Sequence, residues 1–429
     1  MRHIFLIAAL CNVVAFAGKP IDLKQIPFST EMHIVAVDVK FNPTSMPAPM
    51  LWDDPIMLVY RQVPSFENIR VDDIREQTIR DLERGEYKPI VIRARQKTSL
   101  TLHFMNLIGT GNAPDRNVQG VVCKRCKKAN YIFTYGPGGD ESLYPYKASI
   151  HSHGIAYTIE NDGTNAGYNP LMNPMANGLL SPGESRTYFY HDLDYPGVWP
   201  MHDHANPTHS IGRGLHMALV VEPENETVPL DHDFLILFSD YPDYDSYIDD
   251  FYAELLIPPF LHMKNGNVMH AHALNGYAAM LTPRGRMAVM NGGTPYDAMR
   301  SDLAGEPRTP VFEVDMGDLV RFRLLSMGST TTHSFHLHGH VWYDHIEKKY
   351  VDNVAVASGS YRDIVFYAGG HPYQESILAH GSRFKVRSGP GDWLYHCHIV
   401  PHVKHGMWGI FRVLDRTDRK EVATPSSKK

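Results

Sequence analysis

Near its C-terminal end the sequence runs His396-Cys397-His398-Ile399-Val400-Pro401-His402-Val403-Lys404-His405-Gly406-Met407. Successive residues of a β-strand point to opposite faces, so a strand through this segment sends His396 and His398 one way and Cys397 the other. Cys397 can then join His402 and the thioether of Met407. His333 lies an odd number of positions from both His336 and His338, so it can turn to the Cys397 side and supply a second imidazole. Two histidines, one thiolate and a weak axial methionine are the ligand set of a blue copper electron-transfer centre. His396 and His398 face the other way, where they could hold a second group of metal ions wired to the first through a few covalent bonds.

Four His-x-His pairs stand along the chain: His151 and His153, His202 and His204, His336 and His338, His396 and His398. They fall into two matching halves, each with an HxHG segment followed by a W-x-x-H-x-H segment (Trp199 to His204 and Trp393 to His398), and a duplicated domain is the simplest account. Within a strand each pair shares one face. If the duplicated domains meet, eight neutral imidazoles converge, which suits three copper ions, two ligands for one and three for each of the others. The first half lacks the blue set. Asp203 stands where the second half has Cys397, Ala148 where it has His333 and Leu215 where it has Met407, with His209 retained.

The elements that must position these groups read as strands. Short alternating runs such as Ser99 to Phe104, Arg186 to Tyr190, Leu319 to Leu324 and Phe384 to Arg387 recur between Gly, Pro, Asn and Asp, while helical periodicity is scarce. The expected fold is all-β, two β-sandwich domains. The stretch Glu222 to Pro229 is the candidate junction. Residues 1–17 read as a secretory signal ending in Ala15-Phe16-Ala17; 18–225 form domain 1, 226–415 domain 2, and 416–429 a polar tail. The segment Tyr244 to Met290 fits the pattern least. Its His262, Met263, Met269, His270 and His272 read as surface and packing residues ahead of transient copper binding.

The chain has 429 residues, with 41 Lys+Arg against 47 Asp+Glu giving a net charge of −6, so nothing argues for nucleic acid. No later segment is long and apolar enough to span a bilayer. An exported protein follows, extracellular or, in a bacterium, periplasmic. Of four cysteines, Cys11 leaves with the signal, and Cys123 and Cys126 read as a short-loop disulfide ahead of a metal site. Cys397 is then the unpaired thiol. Asn225-Glu226-Thr227 is a glycosylation sequon if the host is eukaryotic.

With these motifs the sequence resembles the two-domain multicopper oxidases of the laccase, ceruloplasmin and ascorbate-oxidase superfamily over nearly all of the mature chain. The His151-Ser152-His153-Gly154-Ile155 form is similar to ceruloplasmin-like members. The resemblance implies paired cupredoxin-like Greek-key domains and four coppers per chain equivalent. Type 1 would be held by His333, Cys397, His402 and Met407, and type 2 by His151 and His336. The type 3 pair would be held by His153, His202, His204, His338, His396 and His398. Asp162 sits where the family places an acid near type 2 copper, a proton-relay role; as a residue of Asn161-Asp162-Gly163 it also reads as a turn. Val403 departs from members that carry a second acid there. His340 and His405 read equally as groups supporting the site and as packed or solvated histidines.

The implied activity is one-electron oxidation of a phenol or aromatic amine, entering near His333 or His402, coupled to reduction of O2 to water. A ferroxidase or other metal-ion oxidase is the near alternative, with acids such as Asp344, Glu347, Asp363 and the run Asp240 to Asp250 as unplaced candidates. A copper nitrite reductase or a non-catalytic copper-binding protein are the others. With two domains per chain, the resemblance implies a homotrimer that closes its clusters between subunits.

Overall fold

The computed structural model describes residues 17–40, 56–112, 147–164, 178–205, 207–225, 228–242, 263–264, 267–268, 270–279, 299–327, 331–370, 376–377, 383–384, 389–404 and 406–415. The signal segment, Cys123, Cys126, His262, Met269, His405 and the tail lie outside them or have no described side chain.

Strand periodicity becomes two sandwiches. In the first half, β2 (Glu31–Lys40), β3 (Ile56–Val63), β5 (Leu100–Asn106) and β7 (Ser185–Tyr190) form a sheet in the order β3-β2-β5-β7. It faces a sheet of β4 (Val91–Arg95), β9 (His216–Glu222), β8 (Gly197–His202) and β6 (His151–Ser152), in that order. Along β5 every second residue is buried. Leu100, Leu102 and Phe104 meet Tyr188, Met201, Met217 and Leu219 in one core, as period-two alternation requires.

In the second half, β10 (His232–Pro242), β15 (Leu319–Ser326) and β20 (Tyr361–Tyr367) share a sheet with β1 (Ile21–Asp22) and β13 (His270–Leu274), both paired to β10. The facing sheet runs β14 (Val311–Asp315), β24 (Trp408–Leu414), β23 (Gly391–Cys397), β16 (His333–Leu337), β19 (Asn353–Val356). Phe234, Phe322, Phe335, Trp342, Tyr395 and Phe411 fill the space between, and Cys397 and Met407 belong to the same core. Three two-stranded hairpins complete the described strands: β11 (Met263–Lys264) with β12 (Asn267–Val268), β17 (Trp342–Asp344) with β18 (Lys349–Val351), and β21 (Ser376–Ile377) with β22 (Arg383–Phe384).

The sandwiches pack through Val198, Ala218 and Val220 of the first and Leu235, Leu237 and Leu325 of the second. A buried ion network brackets the chain between them. Glu222, at the end of β9, accepts from Arg93 and Arg323; Arg323 and Arg321 both donate to Asp233 on β10. Each charge is paired, so the cost of burying it is offset within the network. The 13-residue helix Val71–Glu83 was not expected. Its apolar face, Val71, Ile74 and Leu82 with Ile79, covers the outer side of β2 and β3.

One local device is built twice. Gly154 and Gly339 follow the HxH pairs with φ of 68° in both cases. A Cβ on Gly154 would lie 1.9 Å from the Trp199 ring, and one on Gly339 would lie 2.5 Å from Trp393. Each indole N–H donates to the carbonyl four residues earlier, Tyr195 or Gly389. The glycine is therefore needed for both its left-handed backbone and its missing side chain. Gly154→Ala should lower stability by about 3 kcal/mol or more in urea denaturation. Gly183→Ala, at φ 84° with nothing within 4 Å, should cost about 1–2 kcal/mol. Equal losses would contradict the close-approach account.

Candidate metal centre

Cys397 closes β23 and projects into the second core with no exposed surface. Its Sγ lies 3.4 Å from His402 Nδ1 and 4.0 Å from His333 Nδ1, and the two Nδ1 atoms are 3.2 Å apart. His333 comes from β16, beside β23, and His402 from the helical turn Val400–Lys404. The Cys397 N–H donates to Met407 O, and the Met407 N–H to His402 O, which ties the methionine into the same loop. Gly406, at φ 103°, lets that loop pass against Ala278 and Ala279.

The electrostatics fit a soft cation. Burial drives His402 down to about 3 and His333 to about 4, so both rings are neutral with lone pairs available at pH 7. Burial pushes the thiol up to about 11, so a thiolate forms here only with a cation beside it. The Ser334 N–H already points at Sγ from 3.4 Å. The three donor atoms lie within 4.8 Å of one another, a spacing that suits one ion at bond lengths of roughly 2.0–2.3 Å.

On the opposite face each half carries a matched histidine set. His151 pairs across the sheet with His202, and His336 with His396. His153 Nε2 stands 3.0 Å from His202 Nε2, and His338 Nε2 stands 3.2 Å from His396 Nε2. The Nδ1–H groups are committed to main-chain carbonyls: His202 to Asp203, His396 to Cys397, His151 to Asp162 and His336 to Asp352. That fixes the tautomers and leaves each Nε2 as a donor to metal. Two such nitrogens about 3 Å apart span the edge of one coordination sphere. The pairs straddle strand ends, since β6 ends at Ser152, β8 at His202, β16 at Leu337 and β23 at Cys397. The expected all-strand placement is thus shortened by the glycine turns and by the loops after β8 and β23. His204 and His398 turn outward beside their neighbours, with ring planes at 26° and 25° to His202 and His396. His338 and His398 are exposed. Among the described residues, no ring contact joins the first-half set to the second-half set.

The first half keeps the framework around Cys397 with other residues at its centre. Asp203 N–H donates to Leu215 O as Cys397 N–H does to Met407 O. Ser149 N–H donates to Asp203 Oδ1 at 2.8 Å where Ser334 N–H reaches Sγ. The Ser210 hydroxyl takes the other carboxylate oxygen at 2.6 Å. Asp203 and Leu215 fill the space with a satisfied polar plug, and the side chain of His209 is not described.

Residues 281–417 match the family model described as "Multicopper oxidase". A probable nitrite reductase-hydroxylamine oxidoreductase fusion protein of Kuenenia stuttgartiensis is 28% identical over 270 residues, 62% of this chain and 24% of that protein. Hephaestin of Rattus norvegicus is 24% identical over 305 residues, 66% of this chain and 21% of that protein. The iron transport multicopper oxidase of Candida glabrata is 28% identical over 192 residues, 38% of this chain and 28% of that protein. Over residues 281–417 the chain is similar to the multicopper oxidases. It spans about a quarter of the length of the first two of these relatives. A solved multicopper oxidase shares the fold with a TM-score of 0.50 and 17% identity, over 90% of this chain and 88% of that one. The sandwiches are therefore cupredoxin-like, and the similarity of residues 281–417 to multicopper oxidases points to copper.

Several other residues singled out in the sequence have a place in the structure. Asp162 holds His151 with its carbonyl, while its carboxylate accepts from Tyr157 at 2.9 Å and from Thr164. His340 is a packed residue: it donates to His338 O, accepts from Gly369 N–H and sits among Phe366, Trp393 and Phe411. Asp344 caps a turn by accepting from the Ile346 and Glu347 amides. Both histidines beside Cys397 are buried, His333 with no exposure and His402 with 5%.

Sequence reasoning passed over His216, which lies opposite His202 on β9. It is fully buried, neither ring nitrogen has a hydrogen-bond partner among the described residues, and burial lowers it to about 4. His202 and His396, lowered to about 3 and 4 mainly by burial, behave alike. Each has a folded pKa below the unfolded value, so between about pH 6.5 and 4 the unfolded chain binds more protons and stability falls as pH falls. His216 alone should contribute roughly 3 kcal/mol to that slope. Urea midpoints of copper-free protein should drop across this window, and His216→Phe should flatten part of the drop. A flat profile would refute the buried-neutral assignment.

Proposed function

We propose that this chain is an O2-reducing multicopper oxidase that takes single electrons from a small reducing substrate, a phenol or aromatic amine in the first instance. The observation that carries the reading is the back-to-back arrangement at one strand end. Cys397 completes a His333–His402–Met407 set inside the core while its neighbours His396 and His398 belong to a half-set of imidazoles outside it. Bound at these sites, copper would supply one-electron uptake beside Cys397 and four-electron delivery to O2, giving two waters.

The chain's own residues divide the work. His333, Cys397, His402 and Met407 would hold type 1 copper. His151 and His336 would hold type 2, and His153, His202, His204, His338, His396 and His398 the type 3 pair, four ions per chain equivalent. The Cys397 backbone joins both sites, and its carbonyl fixes the His396 ring. Asp162 would hold and deliver a proton at the His151 edge, a role supported by the bonds from Tyr157 and Thr164 that orient its carboxylate. Residues 18–225 and 226–415 act as the two domains. Each half-set needs another copy of the chain to complete it, and a ring of three such copies closes all contacts. Residues 1–17 would direct export.

A metal-ion oxidase is the second reading. It is supported by the similarity to a protein named for iron transport. Nitrite reduction, suggested by the name of the Kuenenia relative, is disfavoured because four complete His-x-His pairs exceed what an isolated copper uses.

Copper-loaded protein should consume one O2 for every four equivalents of substrate oxidised, with no nitric oxide from nitrite. Cys397→Ser should abolish both the blue absorption and turnover. Asp162→Asn should keep the blue band while slowing O2 reduction on the order of a hundredfold. Light scattering should give a trimer. Persistent blue colour in the Ser variant, or an active monomer, would overturn the assignment.

A further inference from the structure

The blue-site histidines are covered from outside by a pair that no ligand set includes. Asp240 on β10 and His272 on β13 are register partners, so their side chains share a face. The His272 ring stacks on His402 with centroids 4.1 Å apart and planes at 23°. Its Nδ1–H donates to Asp240 Oδ1 at 2.5 Å. The same oxygen lies 3.6 Å from His333 Nε2, which has no hydrogen-bond partner among the described residues. Thr331 donates to Asp240 Oδ2 at 3.3 Å. Asp240 thus bridges toward one blue-site imidazole while bonding the ring that lies on the other. The Asp240 side chain is 3% exposed and that of His333 0%, against 13% for His272.

We propose that His272 is the catalytic residue that reducing substrates touch, and that Asp240 is the positioning residue holding its ring against His402. The inference rests on the copper reading of the Cys397 site. With copper held by His333, Cys397 and His402, an organic donor would give up one electron to the metal and the proton of an oxidised phenol would leave to bulk water. The stacked imidazoles bring donor and site within one ring thickness of each other without exposing a ligand. The Asp240 bond fixes the His272 tautomer and directs its Nε2 edge away from the carboxylate, where a phenol hydroxyl or aromatic amine can donate to it. The carboxylate is too deeply buried to meet the substrate itself.

The test uses copper-loaded full-length protein and a simple phenol. His272→Phe keeps a stacking ring and removes both nitrogens, His272→Gln keeps a hydrogen-bonding side chain, and His272→Ala removes both. Blue absorption and the type 1 reduction potential are measured first, then anaerobic stopped-flow bleaching of the blue band, then reoxidation by O2. The expected result is an unchanged band and a potential close to wild type. Bleaching by the phenol should be slower on the order of tenfold in the Phe variant, with raised KM and unchanged reoxidation, and partly restored in Gln. Wild-type bleaching and KM in the Phe variant would overturn the proposal. If Phe loses the band, Gln decides: bleaching between Ala and wild type supports His272, and bleaching equal in Gln, Ala and wild type rejects it. Absence of a blue band from wild-type protein would instead reject the copper reading.

Discussion

Side-chain alternation over Tyr395, His396 and Cys397 is the constraint from which the rest of the site follows. Because neighbours on a strand face opposite ways, one sulfur can be buried at the centre of a core while the imidazole before it lines an outer face. The aromatic packing of Tyr395, Phe335 and Phe411 holds the strand in that register, and a slip of one residue would exchange the two faces. The buried sulfur then needs partners that can reach it from inside, which β16 and the turn after β23 provide through His333 and His402. The outward rings need tautomers that leave Nε2 available, and nearby main-chain carbonyls set them.

The same framework occurs twice, and the comparison separates structure from chemistry. The glycine–tryptophan contact, the ring-to-carbonyl bonds and the amide bond to the loop residue are present in both halves. What differs is the buried side chain. In the first half a carboxylate held by Ser149 and Ser210 replaces the thiol, and leucine replaces methionine, so the space is filled and polar groups are satisfied. The strand geometry does not depend on a metal ligand at that position.

Much of this was legible in the sequence because metal ligation and strand alternation both leave fixed spacings. The four His-x-His pairs, the Cys397 set and the correspondence of Asp203 and Leu215 to Cys397 and Met407 could be read from residue types alone, as could the all-β class. The helix Val71–Glu83 was missed although Val71, Ile74, Ile79 and Leu82 carry its period, because one amphipathic turn pattern is easily lost among strand signals. Asp240 and His272 were present in stretches flagged only as acidic or as His/Met-rich. Their meaning depends on β10–β13 pairing, a long-range contact that spacing does not encode. His216 carried no motif, and only its register opposite His202 marks it.

The central claim is that each chain carries two half-sets that a neighbouring copy completes. Its most direct measurement is complementation between a variant lacking His153 and His202 and a variant lacking His338 and His396, each inactive alone. In a ring of mixed copies, the intact first half of one variant can meet the intact second half of the other. Co-assembly should restore O2 consumption in proportion to the mixed contacts formed. Mixed assemblies that remain inactive, with both variants folded and the blue band retained, would contradict the account.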